Sequence, residues 1–161
     1  MSASESVDVH DPPLLRRRPD PRDRPVIVSG VRSDAHTWNL VFLQLLIEEL
    51  GHEVVNLGPC VPEDLLISET LQLRPALVVV SSVNGHGYQD GLHAIRRLRS
   101  DERLADVPVV IGGKLGISGG ESERHLADLL SAGFDAVFDD RAEGVLSFQH
   151  FVRSIAAGAV S

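Results

Sequence analysis

The chain has 161 residues, one cysteine and a formal net charge of −8, with 43% hydrophobic, 24% charged and only 4% aromatic residues. A length of this order suits one domain that buries roughly 70% of its unfolded surface, and the sole cysteine, Cys60, excludes an intramolecular disulfide and a cysteine-cluster metal site. Residues 1–24 hold five Arg and five acidic residues, so the deficit lies entirely in the remainder, and an acidic domain is a poor partner for nucleic acid.

No run approaches the roughly 18 apolar residues that a membrane span needs. Arg16-Arg17-Arg18 is followed by Pro19-Asp20-Pro21, where a secretion signal would require an apolar segment. The expectation is a soluble cytoplasmic protein with no membrane partner. Residues 1–24 are rich in Ser, Asp, Arg and Pro and too poor in apolar residues to pack, which predicts a disordered or loosely attached tail ahead of a domain over 25–161.

From Val26 the pattern changes. Val26 to Val31 reads as a first strand, followed by a polar loop and a helix from about Leu40 with Leu43, Leu46, Ile47 and Leu50 at helical spacing, stopped by Gly51. His52 to Leu57 supplies a second strand. Pro62 with Glu63 and Asp64 marks a helix start, because proline is tolerated in the first turn and carboxylates favour the positive end of the helix. That helix carries Leu65, Leu66 and Leu71 and ends before Pro75. Ala76 to Val80 is an unbroken apolar run ending at Ser81-Ser82, as expected of a central parallel strand covered on both faces. A helix around Leu92, Ile95 and Leu98 follows the loose Gly85-His86-Gly87. Val107 to Ile111 then makes a fourth strand, ending in Gly112-Gly113 and a glycine-rich loop to Gly120. A fourth helix spans about Glu121 to Ala132, Asp135 to Phe138 is the fifth strand, and Val145, Phe148, Val152 and Ile155 mark the last helix.

Five strands alternating with five helices predict a flavodoxin-like (Rossmann-like), doubly wound α/β fold: a five-stranded parallel sheet in the order 2-1-3-4-5. In that order the ends of strands one, three and four line one crevice, and His36, Ser81-Ser82 and Gly112-Gly113 all fall there. His36 has a carboxylate two residues away, at Asp34, to orient its ring.

The other loops exclude several chemistries of this fold. A phosphoacceptor domain needs a carboxylate at the end of strand three and usually a lysine after strand five, where this chain has Ser81-Ser82 and Asp139-Asp140. A flavodoxin-type phosphate loop would meet Asp34 and be repelled. Neither a Walker loop nor a Gly-x-Gly-x-x-Gly fingerprint follows strand one.

What remains is Asp34-Ala35-His36-Thr37-Trp38-Asn39, Ser81-Ser82-Val83 and Gly112-Gly113, which together resemble the Asp-x-His-x-x-Gly, Ser-x-Leu, Gly-Gly signature of cobalamin-binding domains. Within that group the stretch from Val26 to the last helix is most similar to the small (sigma) subunits of glutamate mutase, also called methylaspartate mutase. Supporting segments are Val54 to Gly58, Val80 to Gly87 and Ala132 to Asp135. Two positions depart from the signature. Asn39 stands where the family has glycine and places a side chain beside the site, and Val83 replaces leucine, a loss of about 1 kcal/mol or less in contact.

The resemblance implies adenosylcobalamin as cofactor, with His36 replacing the cofactor's own base as the axial ligand of cobalt, and Asp34 accepting the hydrogen of the other ring nitrogen. It implies a cofactor-binding surface made of Ser33, Asp34, Ala35, His36 and Thr37 after strand one, Ser81, Ser82 and Val83 after strand three, and Gly112, Gly113, Lys114, Leu115 and Gly116 after strand four. Ser81 and Ser82 would hydrogen-bond the displaced nucleotide tail, Val83 would wall it, and the glycines would let the backbone approach. It further implies an isomerase subunit, inactive alone, that acts with a larger catalytic mutase subunit of the epsilon (barrel) type to convert L-glutamate to 3-methylaspartate. A non-enzymatic corrinoid carrier or sensor would use the same pocket, and an interaction module with decayed motifs would bind no corrinoid. Elsewhere, His10, His52, His86, His93, His125 and His150 read as tail, strand-edge or helix-surface residues, with the His86 loop facing the same crevice. Arg96, Arg97 and Arg99 read as a solvated helix face, and Trp38 as a helix cap or a partner contact.

Overall fold

The computed structural model describes residues 23–114 and 122–156. The long apolar runs become strands buried at every position: β1 (Val26–Gly30) and β3 (Leu77–Ser82). With β2 (Val54–Gly58), β4 (Val109–Gly113) and β5 (Ala136–Phe138) they form one parallel sheet in the order β2-β1-β3-β4-β5, as the alternation of elements predicts. The helices are α1 (Trp38–Glu49), α2 (Glu63–Leu73), α3 (Gly87–Arg99), α4 (Ser122–Ala132) and α5 (Ala142–Ala156). Among the described residues, no helix is long and apolar enough to cross a membrane. The tail expected over 1–24 lies outside the described residues but for its last two.

The two-residue repeat of a strand sorts each apolar run onto opposite faces. Ile27, Val78, Val80 and Ile111 pack beneath α2, α3 and α4 through Leu66, Ile95, Leu98 and Leu129. Val26, Val28, Leu77, Val79 and Val110 pack beneath α1 and α5 through Leu40, Ile47, Phe148, Val152 and Ile155. Every strand points its carboxyl end to the same edge, so the loops after β1, β3 and β4 meet there.

Several local details depart from the sequence reading. Ser81 and Ser82 belong to β3, and Gly112 and Gly113 belong to β4, paired in register as Ser81 with Gly112 and Ser82 with Gly113. Gly113 is required by the sheet itself: its φ is +106°, and a Cβ there would lie 2.0 Å from the Ser82 carbonyl oxygen. Helix α1 begins two residues earlier than the leucine pattern suggests. Arg99 is no solvated side chain, because its guanidinium donates to the carbonyls of Leu104 and Val107 at 2.8 Å and of Gly133 at 2.9 Å, stapling the end of α3 to the loops before β4 and β5.

His52 precedes β2 instead of starting it, and is 4% exposed. Among the described residues, neither ring nitrogen has a hydrogen-bond partner. Burial pushes its pKa below the ordinary value of 6.5, opposed more weakly by the backbone of Val152 on α5. The unfolded chain therefore takes up a proton near its normal pKa while the folded one does not. Stability is expected to fall as pH drops from about 7.5 through 6.5 and to stop falling at the lower folded pKa. Urea midpoints between about pH 7.5 and 5.5 should show this slope in the wild type and lose it in His52→Phe; an identical slope in both would assign it to another group.

Candidate functional site

The chain leaves β1 at Gly30, and Asp34 turns back beneath its own loop, its backbone N–H bonded to the Val31 carbonyl at 3.1 Å and its carbonyl accepting from Cys60 N–H at 3.0 Å. The Asp34 side chain is 1% exposed. One carboxylate oxygen accepts from the backbone N–H groups of Val83 at 2.6 Å and Asn84 at 3.2 Å, with Ser82 Oγ at 3.4 Å. The other accepts from His36 N–H at 3.0 Å and lies 2.6 Å from His36 Nδ1. Burial is the strongest single influence on this carboxyl and would raise its pKa. The hydrogen bonds from Val83 and His36 and the attraction of the His36 ring together outweigh it, holding Asp34 below the ordinary 3.8. An ionised carboxylate only accepts, so Nδ1 carries a proton, and in the neutral tautomer Nε2 holds the lone pair. The His36 side chain is 63% exposed, which leaves Nε2 as a donor atom open to the crevice.

Beside this pair lies a cavity of about 190 Å³ between α1, the ends of β3 and β4, and α5. Phe42, Leu43 and Leu46 wall it from α1, Phe138, Val145 and Phe148 from the far side, and Val79, Val110 and Ile111 form its floor. Phe138 and Phe148 meet edge to face, with ring centroids 5.5 Å apart. At about 30 Å³ per water, the space suits one bicyclic heteroaromatic ring. Its polar features are few: Ser81, Asn39 and, on the far wall, Asp139 and Asp140. Asn39 Nδ2 donates to Ser81 Oγ at 2.8 Å, whereas Asn39 Oδ1 is buried and has no hydrogen-bond partner among the described residues.

The residues singled out from sequence divide between these two features. Ser81, Val83, Gly112 and Gly113 line the cavity, while Ser33, Ala35, His36 and Thr37 are exposed along the loop after β1. Adjacent serines of a strand face opposite ways, so Ser81 faces α1 while Ser82 lies on the other side and bonds Asp34 and Asn84. Lys114 is exposed at the end of β4; Leu115 and Gly116 lie outside the described residues. Sequence reasoning passed over Asn84, which ties the loops together: its Oδ1 accepts from Ser82 Oγ at 3.1 Å and His86 N–H at 2.9 Å, and its Nδ2 donates to the Ser33 carbonyl at 3.2 Å. The Asn84-Gly85 pair directly after an apolar strand was the available signal. His86 is exposed beside this turn and does not join the Asp34–His36 pair through any hydrogen bond of its ring among the described residues.

Among the described residues, no group of three or more His, Cys, Asp and Glu side chains could enclose a bare metal ion. A lone imidazole with an open Nε2 can still ligate a metal whose other positions are already filled, as by a macrocycle. The adjoining apolar slot, with Ser81 in its wall, fits a heterocyclic base displaced from such a metal.

A parallel sheet with an aspartate-oriented histidine over an apolar slot defines the class. Residues 24–143 match the B12 binding domain, and the chain belongs to that family. Within it, the chain is similar to glutamate mutase sigma subunits. It is 35% identical over 118 residues to glutamate mutase sigma subunit 1 of Haloarcula marismortui, covering 72% of this chain and 76% of that one. It is 29% identical over 113 residues to the glutamate mutase sigma subunit of Fusobacterium nucleatum, covering 70% and 82%. A solved cobalamin-binding protein from Desulfitobacterium hafniense shares the fold, with a TM-score of 0.62 and 22% identity over 80% of this chain and 59% of that chain.

Proposed function

We propose that this protein is the cobalamin-binding subunit of an adenosylcobalamin-dependent carbon-skeleton mutase, converting L-glutamate to 3-methylaspartate together with a separate, larger catalytic subunit. The observation that carries this reading is the buried Asp34 carboxylate 2.6 Å from His36 Nδ1, which directs Nε2 outward beside an apolar slot. The kinship with glutamate mutase sigma subunits supports the substrate and the partner.

In this reading His36 Nε2 is the cobalt ligand, and Asp34 fixes its tautomer and raises its basicity. Ser82 and the backbone of Val83 and Asn84 hold Asp34 in place, while Ser81 offers its hydroxyl to the displaced base and Val83 and Gly112 flank it. Ser33, Ala35 and Thr37 would border the macrocycle, and Lys114, exposed at the end of β4, would flank it. The cofactor, when bound, supplies the radical chemistry, and this chain supplies its grip and orientation. Substrate groups lie on the partner, so the chain alone is inactive. The outer stripe of α1 supports such a partner: Trp38 (83% exposed), Val41, Phe42 (52%) and Leu45 (61%) recur at helical spacing and leave apolar surface bare next to His36.

Trp38 is the only tryptophan of the chain and stands two residues from His36, so its fluorescence reports on the site. Adding adenosylcobalamin should quench it saturably, because the corrin absorbs where indole emits, and the retained corrinoid should show a base-off spectrum after gel filtration. Absence of both quenching and retention would overturn the assignment. Retained corrinoid that fails to restore glutamate turnover when mixed with a glutamate mutase catalytic subunit would point instead to a carrier or sensor.

A further inference from the structure

The opposite edge of the sheet holds a second cavity, of about 370 Å³, by the amino ends of β1, β3 and β4. It is nearly twice the size of the slot beside His36. Three arginines reach it. Arg24 stands one residue before Pro25, whose carbonyl accepts from Ala76 N–H at 2.9 Å and so holds the entrances of β1 and β3 side by side. Arg74 closes α2 two residues before Ala76, and Arg103 lies in the short helical turn Glu102–Leu104 ahead of β4. Pro75, Leu104 and Val107 give the cavity an apolar floor, and among the described residues no Asp or Glu lines it. In a protein of net charge −8, three cations around a carboxylate-free cavity locally invert the overall field. Two of them are unspent. Among the described residues, the side chains of Arg24 and Arg74 form no hydrogen bond or ion pair, whereas Arg103 donates to the Asp101 carboxylate at 3.0 and 2.7 Å.

Arg24 is half-buried, and its Nε is covered without an acceptor among the described residues. A cation drawn out of water with no counter-charge is costly, and an anion in the cavity offsets that cost through its field, with no bond to Nε required. The backbone at Arg74 is an independent sign. Its φ of +46° is left-handed and Pro75 follows it, so glycine would suit this helix end better, and the position holds an arginine against its backbone preference. We propose that the cavity binds a small phosphate monoester with an apolar body. Its phosphoryl group would be held chiefly by Arg24 and Arg74, and its body would lie on Pro75, Leu104 and Val107. Guanidinium forks match phosphoryl oxygens in geometry and charge, and two unpaired cations suit a dianion better than a single carboxylate. This site lies across the sheet from His36 and does not depend on the reading that the chain binds a cobamide.

The probe is phenyl phosphate, titrated calorimetrically into the full chain at neutral pH and low salt, with phenol and inorganic phosphate as the two halves of the ligand. Phenyl phosphate should bind saturably with a Kd below about 1 mM, at least about tenfold more tightly than either half, and should weaken as salt rises. Arg74→Gly and Arg24→Gln should each weaken it about tenfold or more. Arg74→Gly should not lower the melting temperature, because glycine relieves the left-handed backbone, so binding lost there is not a lost fold. His36→Ala should bind the probe as the wild type does. The proposal is overturned by no saturable binding to the wild type, by binding that both arginine variants keep, or by either half binding as tightly as the whole. A loss of binding in His36→Ala would put the phosphoryl group at the other edge of the sheet and overturn it as well.

Discussion

Asp34→Ala is expected to lose about 1–3 kcal/mol of stability, the cost of leaving buried donors without their acceptor, read as a lower urea midpoint at unchanged slope. The carboxylate is 1% exposed and collects the backbone N–H groups of His36, Val83 and Asn84, the His36 ring and Ser82 Oγ. Alanine would strand those donors without an acceptor and untie the loop after β1 from the loop after β3. Against the 5–15 kcal/mol that holds a typical domain together, this is a large share, and a loss below about 1 kcal/mol would mean that water replaces the carboxylate. Acid titration carries the same information with a definite sign. Because Asp34 titrates below its ordinary 3.8 in the folded state, its contribution is complete above about pH 4 and disappears as pH falls through the depressed value. Asp34→Asn should flatten that acid limb. It should also weaken corrinoid retention by about 10–100-fold, the usual consequence of losing a carboxylate behind a metal-bound histidine.

His36→Ala is expected to do the opposite: little to the fold, much to the ligand. The His36 side chain is 63% exposed and its backbone N–H keeps its bond to Asp34, so the stability change should stay near 1 kcal/mol or below. Corrinoid affinity should fall by at least about 10–100-fold. In the electron spin resonance of the bound cobalt(II) form, the coupling from a histidine nitrogen should vanish. Labelling histidine with ¹⁵N should change that coupling in the wild type and change nothing in the variant. A histidine coupling that survives in His36→Ala would place the ligand elsewhere and remove the basis of the proposed function. The contrast between the two substitutions separates a residue that builds the loop from one that the loop presents.

Much of the site was readable before any coordinates. The aspartate–histidine spacing of Asp34 and His36, and the loops on which the serine and glycine motifs sit, follow from apolar runs that can only be strands and from an alternation of elements that can only close as a parallel sheet. Within the motifs the reading was coarser. Ser81 and Ser82 look equivalent as letters, yet one faces α1 and the other supports Asp34. Strand periodicity implies that split once the register is known, and the register comes from pairing with β4. Gly113 reads as an opening for a ligand, and the sheet shows a nearer cause in the Ser82 carbonyl.

Residue order is enough for the five strands, their order, the crevice at their ends and the histidine placed there, because hydrophobic period and loop length are local properties of the chain. Long-range neighbours are not local, and packing alone settled them. Arg99 finds four backbone carbonyls, those of Leu104, Ala105, Val107 and Gly133, His52 is enclosed near α5, and Asn39 reaches Ser81 across 42 positions of sequence. Each of these depends on which side chains the closed sheet brings opposite one another, a relation that exists only after the helices have docked.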